Sequence, residues 1–387
     1  MCTQMTFTAS KPKSTAWLCL LFLAAWTSCQ ADRESTGPHS ATQHSSISDA
    51  DIAAVAQSAP AFAPLTFREP LTFLWEMLPL GDSVLILNQL YQSDSNLLVH
   101  RVGGPATDDF HLVGLVEGPN SVSTITNLRS VAQSLEFFDP NTRKLHRLPF
   151  TGGDGYSRSD LKLVATVEHL CAQAVLWDGG VYCLPVDVGE VANSRFARYS
   201  LAGSLDSTFG AFPPRHAPMS GKVRYTAAGN NQAYQADARV APNGKRMVLA
   251  YKSKDRLEIF GPGGRLLHAT DGPDRFDPDF ATNETSGGGS LLAPLPDVTR
   301  TAFVAVAVNA TGIYALYAGG LSDPSEPAAG YRSYATTDLL VYDWDGGLQR
   351  SYTLPYAAHE LAVTEGGTVY IASDDEDVQI YRSTHPL

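Results

Sequence analysis

Four stretches of the chain repeat one pattern of apolar and polar positions. Each opens with a short alternating run containing an aromatic residue, turns at Gly, Asn or Pro, and resumes as a second run. The copies begin at Leu135, Arg195, Leu257 and Leu339, with weaker ones at Leu97 and Val378. Alternation with period two predicts half-buried strands, and Gly or Asn between two runs predicts tight antiparallel turns. Six copies spaced by roughly 40 to 80 residues predict a radial β-repeat, in which each unit buries its faces only against its neighbours.

The clearest hairpins are Val175–Cys183, Ala238–Ala250 and Leu361–Ala372, turning at Gly179, Asn243-Gly244 and Gly366-Gly367. Glycine supplies the positive φ that two-residue turns require. No amphipathic helical pattern of 12 or more residues interrupts residues 66–387, which argues against an α/β fold. The last unit shows only three strands, His359–Val363, Thr368–Ala372 and Val378–Arg382. A ring cannot leave that edge open without exposing unpaired backbone, and the apolar run Leu71–Trp75 is the expected fourth strand. The expected fold is therefore all-β: a six-bladed β-propeller of four-stranded antiparallel blades, closed by an N-terminal strand joining the last blade. Residues 66–387 give roughly 54 residues per blade, against about 40 to 45 for a WD-type blade. Long loops are accordingly expected at Asp271–Pro296 and Gly319–Thr337.

The N-terminus has a different pattern. Lys11 and Lys13 precede an apolar run of 11 residues, Ala16–Trp26. Such a run is too short to cross about 30 Å of hydrocarbon as a helix, so residues 1–28 read as an export signal. Thr27 and Ser28 before Cys29 fit a lipoprotein-type cleavage site, with Cys29 acylated and becoming the new N-terminus; Trp26 departs from the aliphatic residue usual there. Plain secretion, with cleavage after Ala31, is the other reading. Residues 29–65 are rich in Ser, Thr, Ala, Gln and Pro without a sustained apolar period. They read as a flexible linker, dispensable for folding.

Composition narrows the function classes. The chain is 44% hydrophobic and 10% aromatic, enough for a sizeable core. Loss of residues 1–28, whose charges are two lysines, takes the formal charge from −12 to −14. That surface repels nucleic acid and anionic headgroups. Cys171 and Cys183 remain after Cys2 and Cys19 leave with the signal and Cys29 takes lipid; they are either a disulfide or two half-buried thiols.

No catalytic motif is complete. Gly81-Asp82-Ser83 resembles one esterase block but is followed by a strand, and His385 lacks an Asp three residues before it. The acidic runs Asp271–Asp279 and Asp374–Asp377 lack EF-hand spacing and read as solvated turns. Asp237, Arg239, His359 and Glu360 fall on expected innermost strands and are the candidate channel or ligand-face residues. No metal site, cofactor or catalytic residue is expected.

Ala236–Val248, Gly312–Gly320 and Leu339–Gly347 together resemble the TolB-like six-bladed β-propeller family of exported Bacteroidota proteins and lipoproteins, similar in shape to NHL-repeat propellers. The resemblance implies fold and export; it implies no reaction. The expectation is an exported, outer-membrane lipid-anchored monomer, touching membrane through its anchor alone. Its propeller would be a non-catalytic module binding protein or glycan through a loop face. The alternative is a propeller hydrolase or lactonase with a metal in the channel.

Overall fold

The computed structural model describes residues 42–387 apart from 91–96, 114–121, 151–159, 187–190, 192–193, 217–226, 285–289, 296, 322–334 and 375–376. Residues 1–28, read above as an export signal, and Cys29 lie outside the described residues.

Among the described residues, six sheets of four or five strands follow one another along the chain, and a separate two-stranded hairpin, Phe280–Glu284 with Ser290–Pro294, lies between the fourth and the fifth in sequence. The innermost strands of the six sheets are Phe73–Leu80, Thr126–Val131, Cys171–Trp177, Ala236–Val240, Phe303–Val308 and Glu360–Val363. These strands touch in that order and the sixth returns to the first, so the sheets are blades one to six of a closed ring. The fold is the expected six-bladed β-propeller.

The core is annular. Among the described residues there are six hydrophobic clusters, and each spans the gap between two adjacent blades. Blades three and four, for example, join through Tyr182, Phe196, Leu249 and Phe260. A second strand therefore has neighbours on both faces. Met247–Tyr251, Ile313–Tyr317 and Val369–Ser373 are buried at every position, which explains their continuous apolar runs where a half-exposed strand would alternate. Gly244 at φ +68° and Gly367 at φ +86° make the tight turns expected of them.

The ring closes through a different segment from the one the sequence pattern suggests. Phe62–Pro64 pairs antiparallel with Gln379–Ser383 and completes blade six. Leu71–Trp75 does not supply that strand: Leu71 makes a single bridge to Val378, and Phe73–Leu80 is the innermost strand of blade one. Leu74 and Met77 pack there between blades six and one, a burial that no edge position offers.

The linker reading is corrected for residues 42–65. Gln43–Ser46 runs parallel to Arg265–Asp271 at the rim of blade four, and Ala56–Ser58 runs parallel to Leu348–Ala358 at the rim of blade five. Those two blades are thus five-stranded. Between them, Ser48 caps the helix Asp49–Ala54 in a capping box with Asp51, and Ile47 sinks into the core between blades four and five. The segment covers three outer edges in succession, which removes the pairing hazard of open strands. Among the described residues no helix is long and apolar enough to cross a membrane.

Candidate functional site

Four of the six innermost strands carry an extra residue near their N-terminal ends. Pairing skips Trp75 in blade one, Ala172 in blade three and Val304 in blade five. In blade two, Asn127 and Leu128 stand where the partner strand offers one residue. A bulge breaks the alternation locally and re-aims a side chain. Here it turns polar groups from several blades toward the axis.

The centre of the channel is an ion pair with a hydrogen-bonded surround. Arg239 of blade four lies 3.0 Å from Glu76 of blade one. Its Nη1 donates to Asn127 Oδ1 of blade two at 3.2 Å, and its Nε to the Val306 carbonyl of blade five at 3.2 Å. The Glu76 carboxylate also accepts from the backbone N–H groups of Asn127 and Leu128, at 3.0 and 3.1 Å. Asn127 sits at φ +55°, a left-handed conformation that Asn tolerates, and this aims two successive amides at one carboxylate. A second pair lies beside the first. Asp237 accepts from Lys252 Nζ at 3.1 Å and from Gln173 Nε2 of blade three at 3.0 Å. Gln173 Oε1 accepts from Ala238 N–H at 2.8 Å, and Lys252 Nζ also donates to the Val304 carbonyl at 3.2 Å.

Glu360 of blade six completes the ring of polar groups. Burial pushes its carboxyl up to about 8; Arg239 works against that rise, and Glu76 and Asp237 add to it. Burial likewise raises Glu76, with Arg239 opposing. Burial works against the Arg239 charge, but Glu76, Asp237 and Glu360 more than offset it. His359 Nδ1 lies 3.5 Å from Asp374.

The plug divides the channel into two mouths. At the N-terminal ends of the strands, a small cavity of about 110 Å³ is lined by Phe73, Trp75, Gln173, Asp237, His359 and Glu360, among others. At the opposite end, a funnel of about 650 Å³ has mainly apolar walls, including Leu78, Val131, Trp177, Val240, Val308 and Val363. Arg239 lines both.

All four candidate channel residues thus meet around one cavity. Glu76, Asn127, Gln173 and Lys252 were not singled out by sequence. Glu76 follows the run assigned to the last blade, and no signal in the string marks a bulge. Cys171 and Cys183 form a disulfide between adjacent strands of blade three, with Cα atoms 5.6 Å apart. Gly81–Ser83 is the turn between the first two strands of blade one.

The run Asp271–Asp279 is not simply a solvated turn. Asp271 pairs with Arg256 at 2.8 Å, Asp277 with the fully buried Lys254 at 2.7 Å, and Asp279 with Arg215 at 2.6 Å. Each carboxylate neutralises a cation that the fold has drawn inward. Asp375 and Glu376 of the second run lie outside the described residues. Among the described residues no group of three or more His, Cys, Asp or Glu side chains stands at metal-ligand spacing.

Solved structures align with most of this chain. A Bacteroides fragilis protein assigned as exported aligns over 88% of this chain and 98% of its own, at 10% identity and a TM-score of 0.51. A DUF4221-family member from Bacteroides vulgatus aligns over 85% of this chain and 98% of its own, at 12% identity and a TM-score of 0.49. A streptogramin B lyase aligns over 84% of this chain and 97% of its own, at 9% identity and a TM-score of 0.41. At such identities the likeness is one of fold alone. No family model and no curated protein matches the sequence.

Proposed function

We propose that this chain is an exported, lipid-anchored cell-envelope protein whose propeller is a non-catalytic module that binds protein or glycan at a channel mouth. One observation carries the reading: the channel charges are already paired with one another. Glu76 takes Arg239 and two backbone amides, and Asp237 takes Lys252 and Gln173. Groups committed in this way hold blades in register; a carboxylate needed as nucleophile or base has to be open to substrate. The TolB-like, NHL-like resemblance and the fold shared with an exported Bacteroides fragilis protein support the envelope setting. The anchor rests on Cys29 and its context.

A second reading has one feature in its favour. Glu360, held protonated near neutral pH beside His359, has the disposition of a general acid, as a hydrolase or lactonase would require. One assay separates the two. The protein is incubated with aryl esters, lactones, aryl glycosides and uronate polysaccharides, and products are followed in parent and Glu360→Gln. A binding module gives no turnover above the no-protein control. Turnover that Glu360→Gln abolishes would overturn the non-catalytic reading.

A further inference from the structure

We propose that the mouth at the N-terminal ends of the innermost strands is a subsite for an uncharged, hydroxyl-rich ring, a sugar residue at a glycan end, stacked against Trp75 and hydrogen-bonded through Glu360. The inference rests on the binding-module reading and names its ligand class.

Three observations converge on this mouth. The first is the ring of bulges. The skipped residues Trp75, Ala172 and Val304, from three different blades, all line the same cavity. A bulge interrupts the ladder, and bulges concentrate beside binding and active sites because they re-aim side chains. Three at one level around an axis mark a shaped rim.

The second observation is charge. The Glu76–Arg239 and Asp237–Lys252 pairs cancel, and Glu360 is held neutral near pH 7 by burial. Such a floor offers nothing net to a cation or an anion. Arg239 and Lys252 oppose the one, and the carboxylates of Glu76 and Asp237 oppose the other. What remains is a dense set of hydrogen-bonding groups. Glu360 is 9% exposed and lines the cavity. As a protonated acid it both donates and accepts, which suits a hydroxyl.

The third is the wall. Phe73 and Trp75 alternate along one strand with ring centroids 6.2 Å apart and planes 26° from parallel. Both are half-buried and both line the mouth. A pyranose presents hydroxyls at its edge and C–H groups on its face, so it needs an apolar plane beside polar groups. At about 110 Å³ the cavity admits the end of one ring, not an extended chain.

The test is saturation-transfer NMR on the full chain with millimolar glucose, galactose, mannose and N-acetylglucosamine, repeated on Trp75→Ala, Trp75→Phe and Glu360→Gln. At least one sugar is expected to receive saturation on its ring protons. Trp75→Ala should weaken that binding about tenfold or more, equivalent to about 1.4 kcal/mol. Trp75→Phe, which keeps an aromatic face, should retain more binding than Trp75→Ala, and Glu360→Gln, which replaces the acid hydroxyl with an amide, should weaken binding measurably below the parent. No transfer from any of the four sugars would overturn the proposal. So would transfer undiminished in a cooperatively folded Trp75→Ala, or stronger binding of methylammonium or acetate. Binding of a protein or polysaccharide that survives Trp75→Ala would sink the sugar subsite and leave the binding module standing. Turnover of substrate would instead sink the module.

Discussion

Arg239 and Glu76 meet across the propeller axis. The guanidinium Nη2 on the innermost strand of blade four lies 3.0 Å from the carboxylate Oε1 on that of blade one, diametrically opposite in a ring of six. With bonds to blades two and five as well, Arg239 ties four blades through one side chain. A propeller otherwise coheres through contacts between neighbours only, so this residue adds the long chord that those contacts lack.

The segment over the outer rim sets the first prediction. Deleting residues 42–64 strips strands from three blades and removes Ile47 from the core. Ile47 alone accounts for about 1.5 to 3 kcal/mol of burial. The deletion should lower the melting temperature by several degrees and promote aggregation through the opened edges. A variant with an unchanged calorimetric transition and a monomeric elution profile would show that the segment is an ornament.

Glu360 gives a pH dependence of defined sign. Its folded value of about 8 stands above its ordinary 4.5, so between those limits the folded chain keeps a proton that the unfolded chain has released. Stability must therefore fall as pH rises through that window, by at most about 1.4 kcal/mol per pH unit from this group. Glu360→Gln removes the slope. It should match the parent near pH 4.5 and exceed it above pH 8 in urea titrations; parallel curves for the two proteins would refute the assignment.

Lys254 and Asp277 form a buried pair, 0% and 3% exposed at their side chains. Lys254→Met takes from the carboxylate its buried cation and should cost up to about 3 to 5 kcal/mol. Adding Asp277→Leu should recover much of that loss despite breaking the hydrogen bond from His216 N–H. If the double variant is as unstable as the sum of the two single ones, the pair is not the coupled unit described.

The lipidation proposed at Cys29 makes a prediction about partitioning. The parent should enter the detergent phase and Cys29→Ser should stay aqueous, because stable anchoring requires more than one acyl chain. Equal partitioning of both would remove the lipid from the account.

Much of the ring was legible because blade packing writes itself into the string. The third strand of five blades carries the repeated apolar phrase, and the three strands expected of the last blade lie within a residue of Glu360–Val363, Val369–Ser373 and Gln379–Ser383. The phrase at Leu135 is displaced by one strand, since Ser134–Asp139 is the second of blade two. Gln43–Ser46 and Ala56–Ser58 were illegible for a physical reason. They bind through backbone ladders and a few polar side chains such as Ser45 and are exposed throughout, so no apolar alternation marks them. At the site, Asp237, Arg239, His359 and Glu360 could be placed by strand position. Glu76 and Asn127 could not, because bulges at Trp75 and beyond Thr126 shift which residue faces the axis.

If the channel charges hold the ring together rather than perform chemistry, replacing one of them must weaken the fold. Groups kept for catalysis behave in the opposite way, since their removal relieves strain and usually raises stability. Thermal unfolding of Glu76→Gln is therefore the decisive measurement. Loss of its charge takes from Arg239 its direct ion-pair partner and should cost up to about 3 to 5 kcal/mol, seen as a melting temperature several degrees below the parent. A variant that melts at or above the parent temperature would contradict the structural role of the pair, and with it the non-catalytic reading of the channel.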